Sequence, residues 1–139
     1  MKLLPGRWGV ILIGLIIFTD AEVRGADWMF YSTTDSFTFY YDKDSINRLS
    51  KDIFKVWVKI QAKEKGINYM MEKMGGIYKD YSHGMTLYEI NCAEKKIRTL
   101  SAIFYSKKGE VLGSSSLSTE WDFIPPESLG EDLYKALCK

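Results

Sequence analysis

Alternation of apolar and polar side chains is the main pattern in the first half of the chain, and it predicts β-strands. The clearest case is Ile53-Phe-Lys-Val-Trp-Val-Lys-Ile60, where apolar residues at the even positions alternate with Lys55, Trp57 and Lys59. A period of two places the two sets on opposite faces of a sheet. Because a strand buried on both faces would not carry two lysines, we expect the Lys55–Trp57–Lys59 face to be solvated.

Further segments have strand-like patterns bounded by turn residues. They cover residues 27–32, 36–41, 85–92, 96–105 and 110–112. In the third of these, Tyr88, Ile90 and Cys92 share one face. The connection Ser106-Lys-Lys-Gly109 supplies a glycine where a hairpin needs a positive φ. We therefore expect a small antiparallel sheet of about six strands.

Two segments change to a helical period. Between residues 66 and 76, Ile67, Met70, Met71 and Met74 recur at helical spacing before a Gly-Gly stop. A methionine stripe can form an adaptable binding groove, but this spacing more often packs on the protein's own core.

The second helix is predicted close to the end of the chain. Ser128 and Glu131 form a capping box, and Leu129, Leu133 and Leu137 follow as an apolar row. The expected fold is α+β, with this helix packed on one sheet face.

The first 26 residues have a different pattern. A short segment containing Lys2 and Arg7 precedes the apolar run Val10–Phe18, and a polar stretch rich in small residues ends at Ala26. This order is typical of a secretory signal peptide. The apolar run would span about 14 Å as a helix, about half of a bilayer core, so a stable transmembrane helix is not expected. We predict a signal peptide at 1–26, one domain at 27–139 and no integral membrane segment after cleavage; an uncleaved anchor is the alternative.

The two cysteines, Cys92 and Cys138, both lie in the exported part. An even count in a compartment that permits disulfides predicts a bond between them, with two free buried thiols as the alternative. Cys138 ends the predicted C-terminal helix and Cys92 lies on a strand face. The bond would therefore tie that helix across the sheet.

The neutral charge of the domain argues against nucleic-acid binding, and the absence of catalytic motifs argues against an enzyme. Residues 1–26 contain three of the 19 basic and two of the 18 acidic residues, so the remaining domain carries 16 of each and is neutral. A neutral domain is a poor candidate for nucleic-acid binding. His83 is the one histidine, assigned to a loop, and residues 27–139 contain neither Gly-x-Ser-x-Gly nor Ser-x-x-Lys. We predict no enzyme, no metal site and no cofactor.

Two surfaces remain as candidates for protein binding. One is the strand face of Lys55, Trp57 and Lys59, and the other consists of Lys95, Lys96 and Arg98, which lie in a charged segment between two strands. Tryptophan and arginine are enriched among interface anchors. The plainer interpretations are a sheet face with a tolerated tryptophan and an ordinary charged turn.

Several segments resemble the bacterial surface-adhesin protein E family across the whole predicted domain. The most specific are Tyr88-Glu-Ile-Asn-Cys92 and the tail from Ile124-Pro-Pro126 to Cys138. The resemblance implies an antiparallel sheet with a disulfide-tied C-terminal helix. It also implies a non-catalytic adhesin in the periplasm or at the surface of a Gram-negative-type bacterium. Such a protein would bind host matrix proteins such as vitronectin and laminin, often as a dimer.

Two other functions stay open at this point. One is a periplasmic protein that binds a small apolar or haem-like ligand beneath the methionine-bearing helix. The other is a hydrolase whose carboxylates converge on the sheet.

Overall fold

The computed structural model describes residues 25–138, which form an α+β fold of one antiparallel sheet and two α-helices. Two 3-10 turns, Lys43–Ser45 and Gly76–Asp80, connect some of these elements. The strands and helices of the described part are, in chain order, β1 Trp28–Thr33, β2 Phe37–Asp42, β3 Asn47–Arg48, β4 Ile53–Ala62, α1 Glu64–Met74, β5 Tyr81–Asn91, β6 Lys96–Ser106, β7 Val111–Ser115, β8 Asp122–Phe123 and α2 Leu129–Leu137. Residues 1–24, and with them almost all of the predicted signal peptide, lie outside the described residues.

The strands pair in the order β1-β2-β4-β5-β6-β7, and every pair is antiparallel. The two-residue strands add to this path, β3 on β4 and β8 on β6. The predicted small antiparallel sheet is therefore confirmed. Neither α1 nor α2 is long and apolar enough to cross a membrane.

One sheet face, called the inner face, packs against α2. Its core consists of Val58 and Ile90, both fully buried, and of Leu133 from α2, which is 1% exposed. Ser128 caps the helix by accepting a hydrogen bond from the Glu131 backbone N–H. The helix prediction and its cap are therefore confirmed.

The disulfide joins Cys92 to Cys138, as predicted, with a Cα–Cα distance of 5.5 Å. Cys92 follows β5, and Cys138 follows the last turn of α2. The Tyr134 hydroxyl adds a second link by donating a hydrogen bond to the Cys92 carbonyl at 3.1 Å. The bond thus ties the end of α2 to the core that Ile90 and Leu133 share.

The other helix, α1, covers the opposite end of the same inner face. Its Met70 packs in a buried cluster with Tyr78 and Tyr81, next to Phe104 of β6. Burial, followed by the neighbouring Tyr78, raises the pKa of Tyr81. At Gly66 an added Cβ would overlap the Ser36 carbonyl oxygen, so a residue without a side chain lets the helix approach this closely.

Two local predictions need correction. The methionine stripe is only partly core: Met70 is buried, but Met71 and Met74 are 36% and 48% exposed, because the helix contacts the sheet through Gly66 and Met70. His83 lies in a strand rather than a loop. β5 begins at Tyr81 and passes through an irregularity between Tyr81 and His83, which disguises the period of two.

Candidate protein-binding face

The second sheet face, called the outer face, consists of the strand residues that alternate with the core. Antiparallel register places directly opposite residues on the same face. Three rows cross β4, β5 and β6 in this way: Lys55–Glu89–Arg98, Trp57–Leu87–Ser101 and Lys59–Met85–Ile103. Since both helices pack on the inner face, the described elements leave the outer face open.

Tryptophans are concentrated on the outer face. Trp57 lies on β4, and Trp28 lies at the start of β1, opposite Asp42. Trp121 immediately precedes β8, and its ring lies 4.8 Å from the Arg98 guanidinium carbon. These are all the tryptophans of the described residues.

Basic side chains lie over these aromatic rings. Lys59 Nζ is 5.0 Å from the Trp28 ring centre and 5.5 Å from that of Tyr40. Lys96 Nζ is 4.8 Å from the Phe123 ring centre. Exposed cation–π contacts of this kind contribute about 0.5–1 kcal/mol each. They hold long, flexible side chains in place across the sheet surface.

Acidic groups neutralise only part of this positive charge. Arg98 Nε donates to a Glu89 carboxylate oxygen at 2.6 Å, and Lys96 pairs with Glu94 at 3.2 Å. Among the described residues, Lys55 and Lys59 form no ion pair. The outer face therefore retains two cations without an acidic partner in the described chain.

Asp42, which lies opposite Trp28, adds another carboxylate to the outer face. Its Oδ1 accepts hydrogen bonds from the backbone N–H groups of Asp27 at 2.9 Å and Asp44 at 3.1 Å. The Asp42 carboxylate thus caps the chain locally, and it forms no ion pair with Lys59.

Two hollows indent the outer face. The upper hollow, of about 190 Å³, has Met85 and Ile103 among its lining residues and aromatic walls from Trp28, Trp57 and Tyr105. The lower hollow, of about 230 Å³, is lined by Ile53, Asn91, Glu94, Lys96 and Trp121. Both are small and shallow, of a size to receive single side chains rather than a large cofactor.

His83 lies at the edge of the upper hollow, stacked on Tyr105 with ring centres 5.1 Å apart. Its Nδ1 is 2.9 Å from the Ser82 hydroxyl. Partial burial, and then the charge of Lys59, lower the pKa of His83 below its usual 6.5, so the ring is neutral at pH 7. Within residues 25–138, no three His, Cys, Asp or Glu side chains come together in a way that could hold a metal ion.

Lys95 lies apart from the other predicted binding residues. Its Nζ donates to a Glu131 carboxylate oxygen at 2.7 Å and lies 5.4 Å from the Tyr134 ring centre. This contact fixes α2 to the turn between β5 and β6. The Lys95 hydrogen bond, followed by that from the Glu127 backbone N–H, lowers the pKa of Glu131 to about 2.

The register thus unites the two surfaces proposed from sequence. Lys55, Trp57, Lys59, Lys96 and Arg98 lie on one continuous face, and Lys95 contacts the C-terminal helix instead. The sequence did not identify Trp28, Tyr105 and Trp121 as neighbours of this set. They come from other strands or loops, and their proximity depends on pairing that a single sequence does not reveal.

The aromatic and basic sheet face that neither helix covers is the kind of surface that protein interaction sites use. Residues 28–139 match the family model described as surface-adhesin protein E, and the chain belongs to that family. Membership of an adhesin family implies an exported cell-surface protein with a non-enzymatic role. No curated protein and no solved structure matches the chain.

Proposed function

We propose that this protein is an adhesin of a Gram-negative-type cell envelope that binds protein partners through the outer face. The candidate partners are host matrix proteins such as vitronectin and laminin. The observation that carries the proposal is the concentration of Trp28, Trp57 and Trp121, together with four basic residues, on a face that neither helix covers.

The amount of aromatic surface suits a protein interface. A standard interface buries about 800 Å² on each partner. A tryptophan side chain can bury about 150–250 Å², so three of them supply a large part of that area, although each is already partly covered. The basic side chains around them would form the polar rim that such interfaces show.

Binding to immobilised vitronectin and laminin tests this proposal. Trp57→Ala and Trp121→Ala should each weaken binding at least tenfold, as expected for central aromatic anchors. Tyr69→Ala is the matched control, because Tyr69 is a 50% exposed aromatic residue on α1, away from the outer face. If both tryptophan variants bind as the wild type does, while retaining its circular dichroism, the outer face is not the binding site.

Surface display is a separate test of the proposed location. Protease added to intact cells of the native host should digest the protein if it is displayed outside the envelope. A protein that is cut only after the outer membrane is permeabilised would be periplasmic, and direct adhesion to a host would be contradicted.

Small-ligand binding beneath α1 stays a prediction. Met70, the centre of that hypothesis, packs at 8% exposure against Tyr78 and Tyr81. Met71 and Met74 lie on the exposed side of the helix. No observation on the described residues favours this function over protein binding.

A further inference from the structure

We propose that the outer face recognises an extended acidic segment of its protein partner. The segment would carry two apolar side chains, four to six residues apart, with acidic residues both between them and beside the pair. One apolar side chain would enter each hollow, a carboxylate between them would meet Lys55, and a carboxylate beyond the residue in the upper hollow would meet Lys59. This inference rests on the proposed function and names the chemistry of the partner.

The charge preference follows from the pairing on the face. Arg98 and Lys96 already have carboxylate partners in Glu89 and Glu94. Lys55 and Lys59 have none among the described residues. Complementary charge at these two lysines would speed and orient the association of an acidic segment with the outer face.

The apolar preference follows from the walls of the upper hollow. Met85, Ile103 and the rings of Trp28, Trp57 and Tyr105 provide hydrocarbon surface. The Asp42 carboxylate also lines the upper hollow, and it already accepts two backbone hydrogen bonds. An aliphatic or aromatic side chain gains free energy there, whereas a polar group would lose its hydration without a replacement.

The spacing follows from the strands between the hollows. Trp57 and Ile53 line the two hollows and are four residues apart on β4, and Met85 and Asn91 are six apart on β5. At about 3.4 Å per residue, these separations are about 14 and 20 Å. An extended segment lying parallel to the strands would cover the same distance with four to six residues. Lys55 lies between the hollows, in the row of Glu89 and Arg98.

Other occupants fit this surface less well. In a two-fold dimer through the outer face, residues close to the axis would meet their own copies, so an axis passing near Lys55 and Lys59 would bring like charges together. A sulfated glycan would place hydroxyls, rather than apolar groups, against Met85 and Ile103. An acidic peptide with apolar side chains avoids these two conflicts.

Selection from a displayed library of random 12-residue linear peptides on the whole protein tests the inference. We expect the enriched peptides to carry two apolar residues four to six positions apart, with at least one acidic residue between them and another beside the pair. A labelled copy of one enriched peptide then serves as the probe in fluorescence anisotropy. Its affinity should fall at least tenfold for Lys55→Glu/Lys59→Glu, and it should weaken as salt is raised.

Lys65→Glu/Lys79→Glu is the matched control. It makes the same change in net charge at two exposed lysines outside the outer face, and it should change the affinity less than twofold.

The remaining outcomes separate the two proposals. If the enriched peptides are neutral or basic but lose affinity with Trp57→Ala, the acidic inference is wrong and the outer face stands as a binding site. If the enriched peptides are indifferent both to Trp57→Ala and to the Lys55 and Lys59 changes, both proposals fail. If no peptide is enriched, or if only a sulfated glycan binds in a way that requires Lys55 and Lys59, the acidic-peptide inference is overturned.

Discussion

The two faces of the sheet are made by alternate residues of the same strands, yet they have opposite characters. On β4, Val56 and Val58 are fully buried, while Trp57 and Lys59, their immediate neighbours, are only partly buried. The inner face is closed by two helices and a disulfide, and the outer face carries rings and cations. If the outer face binds the partner, as we propose, stability and recognition occupy the two sides of one backbone, and most changes on one side should have little effect on the other.

Removal of the disulfide should give the largest loss on the inner side. Cys92 and Cys138 are separated by 46 residues, and closing such a loop stabilises by about 4 kcal/mol in the chain-entropy model. Urea unfolding of Cys92→Ala/Cys138→Ala should show a decrease of about that size.

A reductant should lower the stability of the wild type toward that of the variant and leave the variant unchanged. A loss below about 1 kcal/mol would mean that packing alone holds α2 on the sheet, well short of the chain-entropy value.

A pair of substitutions on β5 compares the two faces directly. Ile90 is fully buried on the inner face, and Leu87 is partly exposed on the outer face. Ile90→Ala should cost about 3 kcal/mol, because it leaves a cavity in the core, whereas Leu87→Ala should cost about 1 kcal/mol. Urea unfolding of both variants checks this. Equal losses would show that the outer face is as much a core as the inner one.

Glu131 should make the stability of the inner side depend on acid pH. Its pKa falls from an ordinary 4.5 to about 2 on folding, so its ionised form stabilises the native state above pH 4.5. That contribution is lost as the pH falls from 4.5 toward 2. Glu131→Gln should therefore be less stable than the wild type at pH 7, and the difference should shrink over this interval.

The partner of Glu131 provides the control for that experiment. Lys95→Ala removes the hydrogen bond at 2.7 Å, so it should raise the pKa of Glu131 toward 4.5 in an NMR titration. If the pKa stays near 2 in this variant, the backbone N–H of Glu127 is the main cause of the shift.

The smallest change in stability is expected from the outer lysines. Lys55→Gln/Lys59→Gln removes two cations that have no ion pair among the described residues, and it also removes the cation–π contacts of Lys59, so the free energy of unfolding should fall by no more than about 1 kcal/mol. Affinity for the acidic probe peptide should nevertheless fall. A large loss of stability would mean that these lysines support the fold.

Much of the fold could be predicted from sequence because its signals are local. The alternation in residues 53–60, the Ser128–Glu131 cap and the pair of cysteines each depend on neighbours in the chain or on a count. The strands β3 and β8 have two residues each, too few to show a period. The start of β5 cannot be predicted from sequence, because Tyr81-Ser-His-Gly84 contains an irregularity and has the composition of a turn.

The candidate site could be predicted only in pieces. Lys55 and Arg98 belong to separate segments, and the register through Glu89 brings them into one row. Trp28 and Trp121 join them from the two ends of the domain. Lys95 and Lys96 are consecutive, yet Lys95 contacts Glu131 because its positive φ of 53° turns the chain at the end of the β5–β6 connection. Such distant pairings are not encoded in any local pattern.

The position of α2 after all eight described strands has a consequence for synthesis and export. In a chain that crosses a membrane amino end first, Val58 and Ile90 emerge well before Leu133, the side chain that covers them. Until Leu133 follows, this part of the inner face presents an apolar surface to the surrounding compartment. The native disulfide also cannot form until Cys138 has emerged to pair with Cys92. Chaperones and thiol oxidases of the compartment would therefore act on this protein mainly in the time before its last helix arrives.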